Sequence, residues 1–218
     1  MTQENPGYIV VEGPIGVGKT SLARRLAQSF GTELMLEEVD ENPFLERFYK
    51  DPTAAALPTQ LFFLFQRAQQ LQALRQGDMF KPVIVSDFLM EKDRLFARLT
   101  LDDDELRLYE QVYQHLSVTA PAPDLVVYLQ APVSVLLERI QQRNRNYEQQ
   151  ISADYLERLA DSYTRFFHQY SATPLLIVNA GQFNPVDNEL DYNALLEEIV
   201  ATSSGRRYFN PLPFELTK

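Results

Sequence analysis

Gly13-Pro14-Ile15-Gly16-Val17-Gly18-Lys19-Thr20 is the stretch from which the fold of this chain is read. The pattern is G-x-x-x-x-G-K-T; it directly follows the apolar run Tyr8-Ile9-Val10-Val11 and opens the helical pattern Leu22-Ala23-Arg24-Arg25-Leu26-Ala27. A strand, a glycine-rich turn and a helix start in that order let successive backbone N–H groups point inward onto triphosphate oxygens, with the helix dipole behind them. In that geometry Lys19 reaches the β- and γ-phosphates, and the Thr20 hydroxyl is a ligand of the nucleotide's Mg²⁺. A turn that merely joins a strand to a helix is the bland alternative, and the complete pattern in its proper context weighs against it.

Outward from the loop, the chain reads as one α/β domain spanning residues 1–218. Its 218 residues, 45% of them hydrophobic, suffice for one sizeable core. Four further buried-type strands are expected, in Leu34-Met35-Leu36-Glu37-Glu38-Val39, Pro82-Val83-Ile84-Val85, Asp124-Leu125-Val126-Val127-Tyr128-Leu129 and Leu175-Leu176-Ile177-Val178-Asn179. Helical patterns fall between them: one from the phosphate loop to about Ser29, then residues 44–49, 57–75 and a stretch through 95–97, a pattern from Asp102 to about Val118, a helix from Pro132 through Arg139, and residues 153–170 and 190–200. The acidic run Asp102-Asp103-Asp104-Glu105 reads as charge complementing a helix N-terminus rather than as a metal site. From Gly205 onward, with Pro211 and Pro213, a tail is expected. Strands alternating with helices predict a P-loop NTPase-like three-layer sandwich, a five-stranded parallel sheet with helices on both faces. Ligands in such folds bind at the C-terminal edge of the strands, where the phosphate loop, Glu37, Asp87 and the segment after Leu129 all fall.

Charge and composition narrow the partners. A formal net charge of −10 argues against a nucleic-acid or anionic-membrane surface, because both need a basic footprint. The chain has no cysteine, which excludes disulfides and zinc-thiolate sites and fits a reducing cytoplasm. The polar start Met1-Thr2-Gln3-Glu4-Asn5 leads straight into the first strand, so no signal peptide is expected, and no apolar run approaches about 18 residues.

Phosphate binding on an acidic chain must rest on a few placed cations. Arg139, Arg143 and Arg145 recur at i, i+4 and i+6, with Arg139 and Arg143 on one helix face and Arg145 where the helix gives way to a polar loop. This suits a lid over about residues 143–150 that brings cations to a transferring phosphoryl group. Cations are also favoured at any helix C-terminus, which is the competing explanation.

The combination resembles the deoxynucleoside kinases, the group containing deoxycytidine, deoxyguanosine and deoxyadenosine kinases, over nearly the whole chain. The resemblance is carried by the phosphate loop, by Leu36-Glu37-Glu38-Val39, by Tyr49-Lys50-Asp51-Pro52 followed by Gln60 and Arg67, and by the R-x-R-x-x-E lid Arg143-Asn144-Arg145-Asn146-Tyr147-Glu148. It implies phosphoryl transfer from Mg²⁺-ATP to the 5′-hydroxyl of a deoxyribonucleoside, by a homodimer built on helices. It further implies that Gln60 meets a base edge and that Tyr49 and Glu148 hold the sugar 3′-hydroxyl. Phe62, Phe63, Phe65 and Phe96 could each stack on a base, but aromatic residues in such runs are more often core, and of the four Phe96 is the candidate. Gln60 and Arg67 are seven residues apart, two helical turns, and so share a side. Of Glu37 and Asp87, one accepts the 5′-hydroxyl proton and the other holds Mg²⁺; the acceptor role falls nominally on Asp87, with Glu37 close behind. The donor's adenine is expected near Asn179-Ala180-Gly181-Gln182-Phe183, with Arg139 or Arg143 alongside.

The chain departs from the family pattern in one place. An acidic residue followed by Arg-Ser is usual, and here the sequence reads Asp87-Phe88-Leu89, leaving Arg94 or Arg67 to supply the missing cation at the phosphate and the 5′-oxygen. Arg67 and Asp93 resemble the polar pair of members that take deoxycytidine or deoxypurines. Two other readings stay open at this point: a nucleoside monophosphate kinase, with Arg67 and Arg94 on the acceptor's phosphate, and an ATP-binding switch module without an acceptor. His115 and His168 receive no role.

Overall fold

β1 (Tyr8–Glu12), β2 (Glu33–Met35), β3 (Ile84–Ser86), β4 (Leu125–Gln130), β5 (Leu175–Asn179) and β6 (Arg206–Phe209) form one parallel sheet in the computed structural model of the protein, in the order β2-β3-β1-β4-β5-β6. The structure describes residues 7–76, 84–116, 121–145 and 147–211. The helices are α1 (Lys19–Phe30), α2 (Leu45–Lys50), α3 (Pro52–Gln76), α4 (Lys92–Thr100), α5 (Asp103–Leu116), α6 (Val133–Arg143), α7 (Ala153–Gln169) and α8 (Glu189–Ala201). With β2 and β3 on one side of β1 and β4 to β6 on the other, the chain switches direction beside the phosphate loop, where open α/β sheets form their ligand crevice.

Two-residue periodicity divides the sheet between two cores. Ile9, Val11, Val127 and Leu129 face α1 and α8, packing on Leu22, Leu26, Leu195 and Ile199. Val10, Val126 and Tyr128 face the other way onto Ile140, Leu156, Leu159, Tyr163 and Phe167 of α6 and α7. Strands covered on both faces must be apolar throughout, which is why β1 and β4 read as unbroken hydrophobic runs. A third core, with Leu64, Ala68, Phe88, Ala97 and Tyr109, joins α3, α4 and α5 away from the sheet centre.

Three expectations need correction. The sheet has six strands among the described residues, because the expected tail supplies β6, paired along Leu175↔Arg206 to Val178↔Phe209. Its two arginines and mostly exposed residues hide it from hydrophobic patterning, and the same charges suit an edge strand, where they discourage pairing with another chain. β2 stops at Met35 rather than running to Val39, since the Asp87 carboxylate takes the Glu37 N–H out of the ladder at 2.8 Å. α3 begins at Pro52 and carries Pro58 inside it, five residues earlier than the pattern suggests. Pro52 suits a first helical position, and Ala55 and Ala56 bury that turn against Leu45 and Phe48.

Asp102 caps α5 as expected, its Oδ1 accepting from the N–H groups of Asp104 and Glu105, each at 2.9 Å. Expectations for Met1 to Asn5, Pro82 and Val83, the end of α5 near Val118, Asn146 and Pro213 lie outside the described residues. No helix among the described residues is long and apolar enough to cross a membrane.

Candidate active site

The phosphate loop leaves β1 and closes on α1, whose N-terminus has no side-chain cap, so its first N–H groups remain available to an anion. Gly18, the residue before the helix, sits at φ 101, a left-handed conformation that glycine adopts without strain. Gly16 is held both by φ 85 and by proximity, since a Cβ there would come within 2.7 Å of Leu136 O and 2.9 Å of Ile140 Cγ1. The loop therefore lies directly on α6, the helix that carries Arg139 and Arg143.

Below the loop the carboxylates divide. Thr20 Oγ1 donates to Asp87 Oδ2 at 2.5 Å, and Asp87 Oδ1 accepts from Glu37 N. The Glu37 carboxylate points elsewhere, into a buried charge cluster. Its Oε1 accepts from Arg67 Nη2, and Lys92 Nζ lies 3.3 Å from its Oε2. Burial by itself would raise the Glu37 carboxyl, but Arg67, Lys92 and Lys19 outweigh it and hold the group at about 2. Arg67 also donates to Asp93, and Lys92 pairs with Glu12 at 3.3 Å. Burial opposes the Arg67 charge, yet Asp93 and Glu37 raise its pKa above the usual arginine value. Lys19 moves the other way: burial, then the Lys92 ammonium, lower it against the pull of Glu12, Glu37 and Asp87.

A cavity of about 610 Å³ opens from the loop to α3. Lys19, Thr20, Glu37, Asp87, Tyr49, Gln60, Arg67, Phe96, Arg143, Arg145 and Glu148, gathered from across the sequence, all line it, together with Ile15, Gly16 and Gly18 of the loop. Gly13, Pro14 and Val17 complete the turn behind them, with Val17 N bonded to Pro14 O at 3.2 Å. Gln60 Oε1 and Glu148 Oε2 are buried with no hydrogen-bond partner among the described residues. Such orphaned acceptors are costly unless a ligand meets them.

The lid is folded over this cavity. Arg143 donates to Glu148 Oε1 at 3.1 Å, Arg145 pairs with Asp40 at 3.3 Å, and the Tyr147 hydroxyl donates to Asp40 at 2.5 Å while its ring stacks on Tyr49 at 6.1 Å. α6 ends at Asn144, φ 53, a left-handed turn that asparagine tolerates better than most residues.

Several placements differ from expectation. Arg94 does not line the cavity; it pairs with Glu110 of α5 at 2.8 Å and lies over the Tyr113 ring. Phe88 turns wholly into the third core, so its direction offers nothing to the site. Arg139 lies outside the main cavity: it donates to Val17 O and Ala180 O and lines a second cavity of about 200 Å³ with Arg143, Phe183 and Asn184. Phe63 packs in a core with Leu45 and Phe48, as read, and also borders the main cavity beneath the Arg67 guanidinium. Sequence reasoning missed Glu12 and Lys92, both fully enclosed. A glutamate ending an apolar strand is a visible signal, whereas a lysine among Glu91, Asp93 and Arg94 reads as solvated surface.

Comparison with known proteins gives these features a family. The model of the deoxynucleoside kinase family matches residues 9–203. The chain is 36% identical over 157 residues to a deoxyguanosine kinase of Bacillus subtilis, covering 72% of this chain and 76% of that one. It is 31% identical over 207 residues to a deoxyadenosine kinase of Lactobacillus acidophilus, covering 88% and 94%. Among solved structures, a deoxyadenosine kinase from M. mycoides with dCMP and a flexible dCDP bound superposes with a TM-score of 0.77 at 25% identity, covering 89% of this chain and 99% of that one.

Proposed function

The chain belongs to the deoxynucleoside kinase family, and from that premise we propose that it moves the γ-phosphoryl group of ATP to the 5′-hydroxyl of deoxyadenosine, deoxyguanosine or deoxycytidine. The observation that carries this reading is the pair of orphaned buried acceptors, Gln60 Oε1 and Glu148 Oε2, in a cavity that begins at the phosphate loop. They suit neutral donors, an amino group on a base edge and a sugar hydroxyl.

Glu37 is the proton acceptor in this reading and Asp87 the metal partner, a choice favoured by the bond from Thr20 to Asp87 and by the burial of Glu37 beside Arg67. Thr20 and Asp87 offer hard oxygen ligands that fit Mg²⁺. No group of three acidic, histidine or cysteine side chains placed to hold a metal ion stands among the described residues, and the nucleotide's phosphates would complete the coordination. When bound, the ion neutralises charge on the β- and γ-phosphate oxygens. The 5′-hydroxyl passes its proton to Glu37 as its oxygen bonds the γ-phosphorus, and the bond from that phosphorus to the departing ADP breaks. A carboxylate held at about 2 is a weak base, but a loose transition state asks little of it. The donor's adenine fits the smaller cavity beside Arg139 and Phe183.

A coupled assay over deoxyadenosine, deoxyguanosine, deoxycytidine and thymidine tests the reading; activity with none of them overturns it. Gln60→Ala is expected to raise the nucleoside KM about tenfold or more while leaving the ATP KM unchanged, since a base edge loses one buried partner. A monophosphate acceptor is disfavoured because Arg67 and Lys92 are already paired with Glu37, Asp93 and Glu12.

Association and location belong to the same reading. Phe65 of α3 is 52% exposed and Leu108 of α5 47%, on two helices packed together, which supports a homodimer through this layer. Light scattering is expected to give a dimer for the parent chain and a monomer for Phe65→Glu; a monomeric parent would remove this part. The cysteine-free chain fits a cytoplasmic enzyme, and its net charge of −10 offers nothing to nucleic acid.

A further inference from the structure

Lys92 opens α4 with 2% of its surface exposed, its Nζ 3.3 Å from Glu12 Oε1 and 3.3 Å from Glu37 Oε2. An ammonium so enclosed loses its hydration and persists only where carboxylates face it. Burial lowers its proton affinity, and Glu12 and then Glu37 more than restore it, so the group stays cationic.

Both carboxylates have other partners besides this cation. Glu12 already accepts from Gly13 N at 3.0 Å, Leu89 N at 2.7 Å and the Tyr163 hydroxyl at 3.2 Å. Glu37 is already paired with Arg67. Lys92 does line the cavity beside Lys19, Asp87 and Glu37, so a buried ammonium group of α4 and the half-buried one of the phosphate loop border the same space. An anion in that space is attracted by both, and in the acceptor reading the group that moves from the loop toward Glu37 is the γ-phosphoryl.

We propose that Lys92 is a catalytic residue, donating a hydrogen bond to an equatorial oxygen of the γ-phosphoryl group on the acceptor side while Lys19 holds the donor side. Lys92 keeps its protons throughout. The 5′-oxygen bonds the phosphorus, its proton goes to Glu37, and the electrons of the broken bond leave on ADP. This rests on the acceptor reading above, yet fails separately from it: a parent enzyme inactive with every deoxynucleoside overturns that reading, whereas the variants below test Lys92 in an active enzyme.

The experiment measures kcat and KM for Lys92→Met with ATP and with ATPγS, whose γ-sulfur weakens a hydrogen bond at that position. The expected result is a kcat lower by about a hundredfold or more, both KM values within about threefold, and an ATP to ATPγS rate ratio that shrinks toward one. Should Lys92→Met not fold, Lys92→Gln, a weaker neutral donor, is expected to lower kcat by about tenfold or more and to reduce the rate ratio in part. A kcat within about threefold of the parent overturns the proposal. So does a large loss with the rate ratio unchanged, because that is the behaviour of a counter-ion that only supports Glu12 and Glu37. Loss of folding in both variants likewise assigns Lys92 to the architecture and overturns it.

Discussion

Lys19→Ala abolishes phosphoryl transfer to every acceptor, with kcat falling about a thousandfold or more, while the chain keeps its fold. The lysine is half-buried, and burial and then the charge of Lys92 lower its proton affinity, so truncation removes a charge the folded protein holds at a cost. Circular dichroism and a thermal melt are expected to give a Tm no lower than the parent's, because the repulsion with Lys92 disappears. The losses should be uniform across bases. A variant that kept activity with one nucleoside would mean that the loop lysine contacts the acceptor rather than the shared donor.

Glu37→Gln and Asp87→Asn together separate the two carboxylates. Glu37→Gln should lower kcat by about a hundredfold at any Mg²⁺ concentration, the low end of what a positioned base contributes, because a carboxylate held at about 2 is a weak base. It should also lower Tm, since Arg67 and Lys92 lose a buried anionic partner, a kind of loss that costs about 3–5 kcal/mol. Asp87→Asn should instead raise the Mg²⁺ concentration needed for half-maximal rate, and excess Mg²⁺ should return part of the activity, because Thr20 and the phosphates remain as ligands. If the Mg²⁺ dependence moves with Glu37→Gln and not with Asp87→Asn, the two roles are exchanged.

What the sequence discloses here follows from range. The loop, the helix start and the strand before it are contiguous, and Gln60 and Arg67 share a side through helical spacing, so local periodicity brings them to the cavity. The proposed division of labour between Glu37 and Asp87 rests on a hydrogen bond from Thr20 across 67 positions, which no local pattern encodes. Arg94 departs from expectation for a related reason. Nearness to Asp87 in sequence says nothing of direction, and the turn bonded through Ser86 and Leu89 sends Phe88 into the core and leaves Arg94 facing α5. Lys92 and β6 share a different obscurity: both carry charge where hydrophobic pattern is the signal, one inside the protein and one on the sheet edge.

The clasp that Asp40 forms with Arg145 and Tyr147 is made largely in solvent, Asp40 being 66% exposed and Arg145 36%. Ion pairs in that setting contribute about 0–1 kcal/mol, so this clasp adds little to the hold that Arg143 and Glu148, and Tyr147 on Tyr49, already give the segment, and it weakens further as salt screens it.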